Sequence, residues 1–296
     1  MSKLGFIGLG AMGAPMARNL LKAGYSVAVY ARRKELVDAL ATDGAQAAAS
    51  PADVASRSSI VLTMVTDTEA VREVVLGKHG IVEGARPGSV VIDHSTISPT
   101  VTQMIAAALK ARDIAMLDAP VSGGVAAAEA RTLSMMVGGD ASVFERCEPI
   151  LARIGQTLVY VGLSGSGQVA KACNQICTIV NQEAVAEAMI VAERCGIDPA
   201  KVKDVLMAGF GASRMLELQA PKMIARDFEG KVQSRLHHKD IHIVLQMARD
   251  LGIELPASAA AAQVLDKLQA RGGAREDSAA IFNVLASAES AFPKPE

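Results

Sequence analysis

Three short clusters bring anion-binding or proton-transfer groups together. The first is at residues 4–13, Leu-Gly-Phe-Ile-Gly-Leu-Gly-Ala-Met-Gly, an apolar run passing into Gly8-x-Gly10-x-x-Gly13. After a strand and before a helix, this spacing cradles the pyrophosphate of a dinucleotide. The first glycine makes the turn, the second admits the phosphates, and the third lets the helix pack close to the strand. Amides at the helix start then face the anion. The whole turn, Gly8, Leu9, Gly10, Ala11, Met12 and Gly13, is the expected cofactor contact. Ala14–Ala23 has helical character, with Gly24 as its stop.

The second cluster is Asp118-Ala119-Pro120-Val121-Ser122-Gly123-Gly124, at the carboxyl end of an expected strand. Open α/β sheets bind ligands at that end. The Ser122 hydroxyl with the Gly123 and Gly124 amides can nest a carboxylate; alone, the tripeptide also reads as a plain turn. The third cluster is Gly165-x-Gly167-x-x-x-Lys171-x-x-Asn174-Gln175. On a helix, Asn174 and Gln175 share a face with Lys171. A helical lysine is ordinarily a surface charge. Here its sequence neighbours are Val169, Ala170, Ala172, Cys173, Ile176 and Cys177. Drawn into apolar surroundings, an ammonium loses hydration and releases its proton more readily.

The elements that must hold these clusters follow from the pattern. Short β-branched runs at Ser26–Tyr30, Ser59–Met64, Ser89–Asp93, Ile114–Asp118, Leu133–Val137 and Thr157–Val161 alternate with helical stretches such as Asp67–Val75, Ser98–Ala111 and Ala141–Ile154. That alternation predicts βαβ units around a mainly parallel sheet. Ser50-Pro51 and Ser98-Pro99 read as caps followed by first-turn prolines. Beyond Leu163 strand signals nearly vanish. Gln168–Cys195 reads as one long helix without Pro or Gly, followed by helices at Pro199–Ala208, Leu236–Leu251, Ala257–Ala270 and Ser278–Ala288. The fold class is therefore an α/β Rossmann domain, residues 1–162, followed by an all-α domain, residues 163–296, with a frayed tail at Pro293–Pro295.

Composition excludes several classes. The net charge is −1 and aromatics are 3% of 296 residues. With no basic stripe and little to stack on bases, nucleic acid is not an expected partner. No apolar run is long enough to span a membrane. The first strand begins by about residue 4, which leaves no room for a signal peptide, and the location expected is cytoplasmic. Cys147, Cys173, Cys177 and Cys195 form no CxxC pair and read as reduced, partly buried thiols. The histidines (His79, His94, His237, His238, His242) show no zinc-like arrangement, so no metal site is expected.

Cofactor choice depends on the end of the second strand. NAD-binding relatives place an acid there for the ribose 2′-OH. This chain has Val29-Tyr30-Ala31-Arg32-Arg33. A guanidinium suits a 2′-phosphate, so NADP(H) is the preferred cofactor, with Arg32 as the clamp and NAD(H) as the alternative.

With these motifs in order, the chain resembles the β-hydroxyacid dehydrogenases, which include 3-hydroxyisobutyrate dehydrogenases, tartronate semialdehyde (2-hydroxy-3-oxopropionate) reductases and glyoxylate/succinic semialdehyde reductases. The resemblance runs through GFIGLGAMGAPMARNL, DAPVSGG, GSGQVAKACNQ and Leu236–Pro256 with its Lys239-Asp240 pair. It implies a helical domain like the C-terminal domain of 6-phosphogluconate dehydrogenase. It also implies NAD(P)-dependent interconversion of a small 3-hydroxy acid and its aldehyde, in a homodimer or homotetramer. Lys171 matches the catalytic lysine, and Ser122, Gly123 and Gly124 match the substrate-carboxylate loop. Asn174 or Gln175 is expected to orient the substrate or the lysine, and both are candidate substrate-binding residues. Val65 and Thr66 match the cofactor loop beside the adenosine and ribose, Thr96 a cofactor- and substrate-proximal position, and Lys239 a residue at the nicotinamide end, with Asp240 as its partner. Spacing alone leaves Thr96 as a helix cap and Lys239 as a surface charge.

Three positions depart from the family pattern. Gln175 replaces a frequent second asparagine, a form more like the tartronate semialdehyde reductase branch. Ala31 replaces an asparagine common in NADP users. Arg131 replaces a glycine, so it carries strain if the backbone there needs positive φ, or else adds a cation near the pocket or sits in a tolerant turn. Imine reductases share the fold but usually carry Asp or Tyr at the lysine position. A silent NADP-binding protein would show degraded motifs, and these are intact.

Overall fold

The computed structural model describes residues 3–230 and 232–287. The tail at Pro293–Pro295 and the final residue of the expected helix, Ala288, lie outside the described residues. In chain order the strands are β1 (Lys3–Ile7), β2 (Ser26–Tyr30), β3 (Gln46–Ala47), β4 (Ile60–Thr63), β5 (Val90–Asp93), β6 (Ala115–Asp118), β7 (Val121–Ser122), β8 (Leu133–Gly138) and β9 (Gly155–Gly162). The central runs are continuously apolar rather than alternating, because helices cover both faces of a parallel sheet. Every residue of β4 and β5 is buried.

The sheet order is β3-β2-β1-β4-β5-β6-β8-β7, with β9 also paired to β8. β1 to β6 run parallel. β8 is antiparallel to β6 and β7 and parallel to β9. The order reverses between β1 and β4, the switch point where such sheets open a crevice beyond the strand ends. β3 and β7 have two residues each, too few for periodicity to reveal. Leu20, Val29 and Leu62 lie in the core on one face, and Val61, Val91 and Leu109 in the core on the other.

The Ser-Pro helix starts form as expected. The Ser50 side chain accepts from the Asp53 amide and the Ser98 side chain from the Val101 amide, with Pro51 and Pro99 in the first turns. The described chain divides into two compact units at residues 171 and 172. The 29-residue helix Ser166–Arg194 begins in the first and continues into the second. The second unit adds helices Pro199–Met207, Arg214–Ala225, Ser234–Leu251 and Pro256–Ala270, a 3₁₀ turn at Ser278–Ala280 and a short helix Ile281–Ala286. Leu216, Met223, Ile241, Val244, Leu265 and Phe282 form its core. Helix Arg214–Ala225 escapes a sequence reading because Pro221 interrupts the pattern. Among the described residues no helix is long and apolar enough to cross a membrane.

Candidate active site

The dinucleotide turn is specified by close approach. The Gly8 amide donates to the Tyr30 carbonyl at 3.0 Å. Gly8 has φ +94, and a Cβ there would strike the Met64 carbonyl. A Cβ on Gly13 would strike the Gly8 carbonyl, whereas Gly10 faces open space. Glycines 8 and 13 thus seat the helix against the strand, and Gly10 leaves the approach clear. Beside them lies a cavity of about 530 Å³ lined by Gly8, Leu9, Gly10, Arg32, Val65 and Thr66 among others. Arg33, Lys78 and His79 line it too. A glycine cradle at the switch point and a cation-rich cavity fit a dinucleotide with its pyrophosphate on the turn. Ala11, Met12, Gly13, Thr96 and Lys239 do not line this cavity.

The strand that leads to the Ser122 loop and the start of the Lys171 helix are tied by one carboxylate. Asp118 ends β6, and its Oδ1 accepts from the Gly165 amide at 2.8 Å and its Oδ2 from the Gln168 amide at 3.0 Å. It therefore caps the start of the long helix from 47 residues away. A Cβ on Gly138 would come within 2.7 Å of the Asp118 carboxylate, and one on Gly167 within 2.8 Å. Burial raises the pKa of Asp118, opposed by the amide bonds from Gly165 and Gln168. Gln168 ties the same helix to the loop after β5, donating from Nε2 to the Ser95 carbonyl at 2.8 Å and accepting the Ile97 amide at 3.1 Å. Ser95 Oγ in turn accepts the Val65 amide at 2.9 Å.

One turn beyond Gln168 stands Lys171, only 8% exposed. It belongs to a buried stripe with Gln168, Ala172, Gln175 and Ile179. The sequence neighbours expected to bury it do not all do so, since Val169, Cys173 and Cys177 are exposed. The thiols need the same correction: Cys147 is buried, whereas Cys173, Cys177 and Cys195 are exposed. Helical rotation, not sequence adjacency, decides which side chains cover the ammonium.

Ser122 is half-buried at the end of β7, and Gly123 and Gly124 follow with φ of +130 and +69. That backbone holds the loop open for glycine only. Arg131, exposed at the end of helix Gly124–Ala130, takes φ +63, so the residue replacing the family's glycine does sit in a left-handed conformation. Thr96 is half-buried, two residues after the buried His94. His94 Nδ1 lies 2.8 Å from the Ala119 carbonyl, and burial lowers its pKa to about 4. Beside it, Asp93 accepts from Thr63 Oγ1 at 2.7 Å and from the Ser95 amide at 3.1 Å. Burial raises the Asp93 pKa to about 6.

The second unit holds a separate polar network. Asn174 Nδ2 donates to Gln175 Oε1 at 2.9 Å, and Gln175 Nε2 donates to Asp240 Oδ2 at 2.6 Å. Lys239 Nζ lies 2.8 Å from Asp240 Oδ1. Four predicted residues thus form one chain, with Gln175 spending its amide within it. Asp118, Gln168 and Ser95 are the positioning groups that sequence reasoning left without roles. Their partners are backbone groups far away in sequence, so no local spacing reveals them.

A parallel sheet with a glycine-cradled cavity at its switch point, and a buried lysine on a helix capped from that sheet, define an NAD(P)-dependent oxidoreductase. Residues 3–162 match the model for the NAD-binding domain of 6-phosphogluconate dehydrogenase, and residues 165–285 that for the NAD-binding region of NADP-dependent 3-hydroxyisobutyrate dehydrogenase. The chain belongs to the β-hydroxyacid dehydrogenase family. It is 40% identical over 283 residues to 2-hydroxy-3-oxopropionate reductase of Escherichia coli K12, covering 96% of this chain and 97% of the relative. It is 36% identical to the NAD-dependent L-serine dehydrogenase of Pseudomonas aeruginosa, over 94% of this chain and 95% of that one. Among solved structures, 3-hydroxyisobutyrate dehydrogenase of Mycobacterium tuberculosis with L-serine superposes with a TM-score of 0.89 at 32% identity, covering 97% of this chain and 100% of that one. This chain is accordingly an NAD(P)-dependent enzyme of the CH–OH-oxidising class.

Proposed function

We propose that the protein reduces 2-hydroxy-3-oxopropionate to the corresponding hydroxy acid, with NADPH as the preferred reductant. The observation that carries the reading is the buried Lys171 on the Asp118-capped helix, in a chain 40% identical to a reductase of that substrate. The Asn174-Gln175 sequence on the same helix supports this branch. The bound nicotinamide supplies the hydride that the carbonyl carbon accepts. The Ser122 hydroxyl and the Gly123 and Gly124 amides hold the carboxylate. Lys171 donates its Nζ proton to the carbonyl oxygen as charge develops there, and in the reverse direction neutral Lys171 takes the alcohol proton. Asn174 orients the substrate. Gln175, its amide bonded to Asp240, acts by positioning Asn174. Lys239, paired with Asp240, serves the nicotinamide end, and Thr96 the cofactor side.

Arg32, with Arg33 and Lys78 on the same cavity, supports the 2′-phosphate of NADPH over the bare ribose of NADH. The domain boundary we propose is residue 162, at the end of β9. We further propose a homodimer or homotetramer in the cytoplasm.

The test is a spectrophotometric panel of 2-hydroxy-3-oxopropionate, succinic semialdehyde, glyoxylate, 3-hydroxyisobutyrate and L-serine, each with both cofactors. The expected result is the highest kcat/KM for 2-hydroxy-3-oxopropionate with NADPH. A higher value for 3-hydroxyisobutyrate or L-serine oxidation overturns the substrate assignment, and preference for NADH overturns the role of Arg32.

A further inference from the structure

The helix Ser234–Leu251 carries two histidines one turn apart, His238 and His242, on one face. The facing helix Pro256–Ala270 brings Asp266 to them. His238 Nε2 lies 2.8 Å and His242 Nε2 2.9 Å from the same oxygen, Asp266 Oδ1. The two rings meet edge to face with centroids 4.5 Å apart. All three candidate ligand atoms lie within 4.8 Å of one another. The side chains are 31%, 42% and 50% exposed, so a cation reaches them from solvent.

We infer that His238, His242 and Asp266 form a surface site for a divalent cation of the zinc class. The chemistry of the donors supports it. Two imidazoles and a carboxylate suit zinc, copper(II) or nickel(II) rather than magnesium or calcium, which prefer all-oxygen shells. Tetrahedral bonds of ~2.0–2.2 Å place ligand atoms roughly 3.3 Å apart. Both histidine nitrogens stand closer than that to Asp266 Oδ1, at 2.8 and 2.9 Å, and all three atoms lie within 4.8 Å, so side-chain rotations at half-exposed tips open the site to an ion, and water completes the shell. This revises the sequence expectation of no metal site. The usable signal was the His-x-x-x-His spacing, which marks a shared helix face without needing an intervening glutamate.

The site lies within the second unit and would brace helix Ser234–Leu251, which carries Lys239 and Asp240, against helix Pro256–Ala270. Its proposed role is to stiffen that pair.

The test uses untagged, chelator-stripped protein with its thiols alkylated, because the exposed Cys173, Cys177 and Cys195 would also take zinc. Calorimetric titration with zinc chloride should show one equivalent bound, with a rise in Tm. Changes outside the ligand shell typically cost 10–100-fold in affinity, so losing two direct ligands in H238Q/H242Q should cost at least about 100-fold and abolish the Tm rise. Equal melting of the metal-free proteins shows that the fold is intact. Should the double variant not fold, copper(II) electron paramagnetic resonance on the wild type must show two imidazole nitrogens. Undiminished zinc affinity in the variant, no binding by the wild type at millimolar zinc, or a copper spectrum without imidazole coupling overturns the site.

Discussion

The start of the long helix and its third turn are held in opposite ways. Around Lys171 the holding groups reach backbone: Asp118 accepts the Gly165 and Gln168 amides, and Gln168 bonds the Ser95 carbonyl and Ile97 amide. Around Gln175 they reach side chains, running from Asn174 through Gln175 to Asp240 and Lys239. Backbone anchors fix where a helix begins and which way it faces. Side-chain chains tune one group and can be re-lettered as a set. The contrast predicts that damage to the first kind disturbs both stability and turnover, and damage to the second mainly turnover.

The largest expected effect is at the group being positioned. Lys171→Ala should cut kcat by about 10²–10⁴ with little change in NADPH affinity, read by cofactor fluorescence titration. Near-normal turnover in that variant would remove Lys171 from the proton path. Asp118→Asn tests the backbone anchor. An amide cannot accept at both ends, so one helix-start amide loses its partner. We expect a loss of ~1–3 kcal/mol in urea unfolding, and a fall in kcat of up to about 100-fold from misplacement of the ammonium. A stability loss without a kcat change would reduce Asp118 to a structural cap.

A third prediction probes the buried pair beside the anchor. Burial raises the Asp93 pKa to about 6 from 3.8, so between those values the folded chain keeps a proton that the unfolded chain has released. Stability from Asp93 therefore falls as pH rises through that window. Burial lowers the His94 pKa to about 4 from 6.5, so the unfolded chain takes up a proton first as pH falls. Stability from His94 is lost as pH drops from 6.5 to 4. The two slopes oppose, so the Asp93 and His94 contributions largely cancel between about pH 4 and 6. Asp93→Asn should expose the histidine slope, losing up to about 3 kcal/mol from pH 6.5 to 4 in urea melts. A flat profile in that variant refutes the opposition.

The smallest effect belongs to Arg131. Its φ of +63 is costly for a residue with a Cβ. Arg131→Gly should gain about 0.5–1 kcal/mol, the relief of strain being partly offset by glycine's freedom in the unfolded chain. An unchanged KM for the aldehyde acid would keep Arg131 out of the pocket; a raised KM would make it a substrate cation.

The same contrast explains what could be read from the chain itself. Gly8-x-Gly10-x-x-Gly13 was legible because close backbone approach admits one residue type at fixed spacing, and the structure puts the Met64 and Gly8 carbonyls against Gly8 and Gly13. The Ser-Pro helix starts and the long helix were legible because caps and periodicity are local. Asp118 was visible as part of a motif, but its work as a remote cap was not, since its partners begin at Gly165. Helix Arg214–Ala225 was hidden by Pro221, and the pairing of His238 and His242 with Asp266 needed the turn between two helices.

The Asp118 cap also sets a rule of counting. With the Gly165 and Gln168 amides tied to one carboxylate, the residues from there to Lys171 act as a spacer of fixed length. Inserting one residue would swing the ammonium about 100° around the helix axis and shift it ~1.5 Å along it. Substitutions on the outer face are then tolerable, whereas a single insertion or deletion between the cap and the lysine silences the enzyme while leaving every side chain of the motif present.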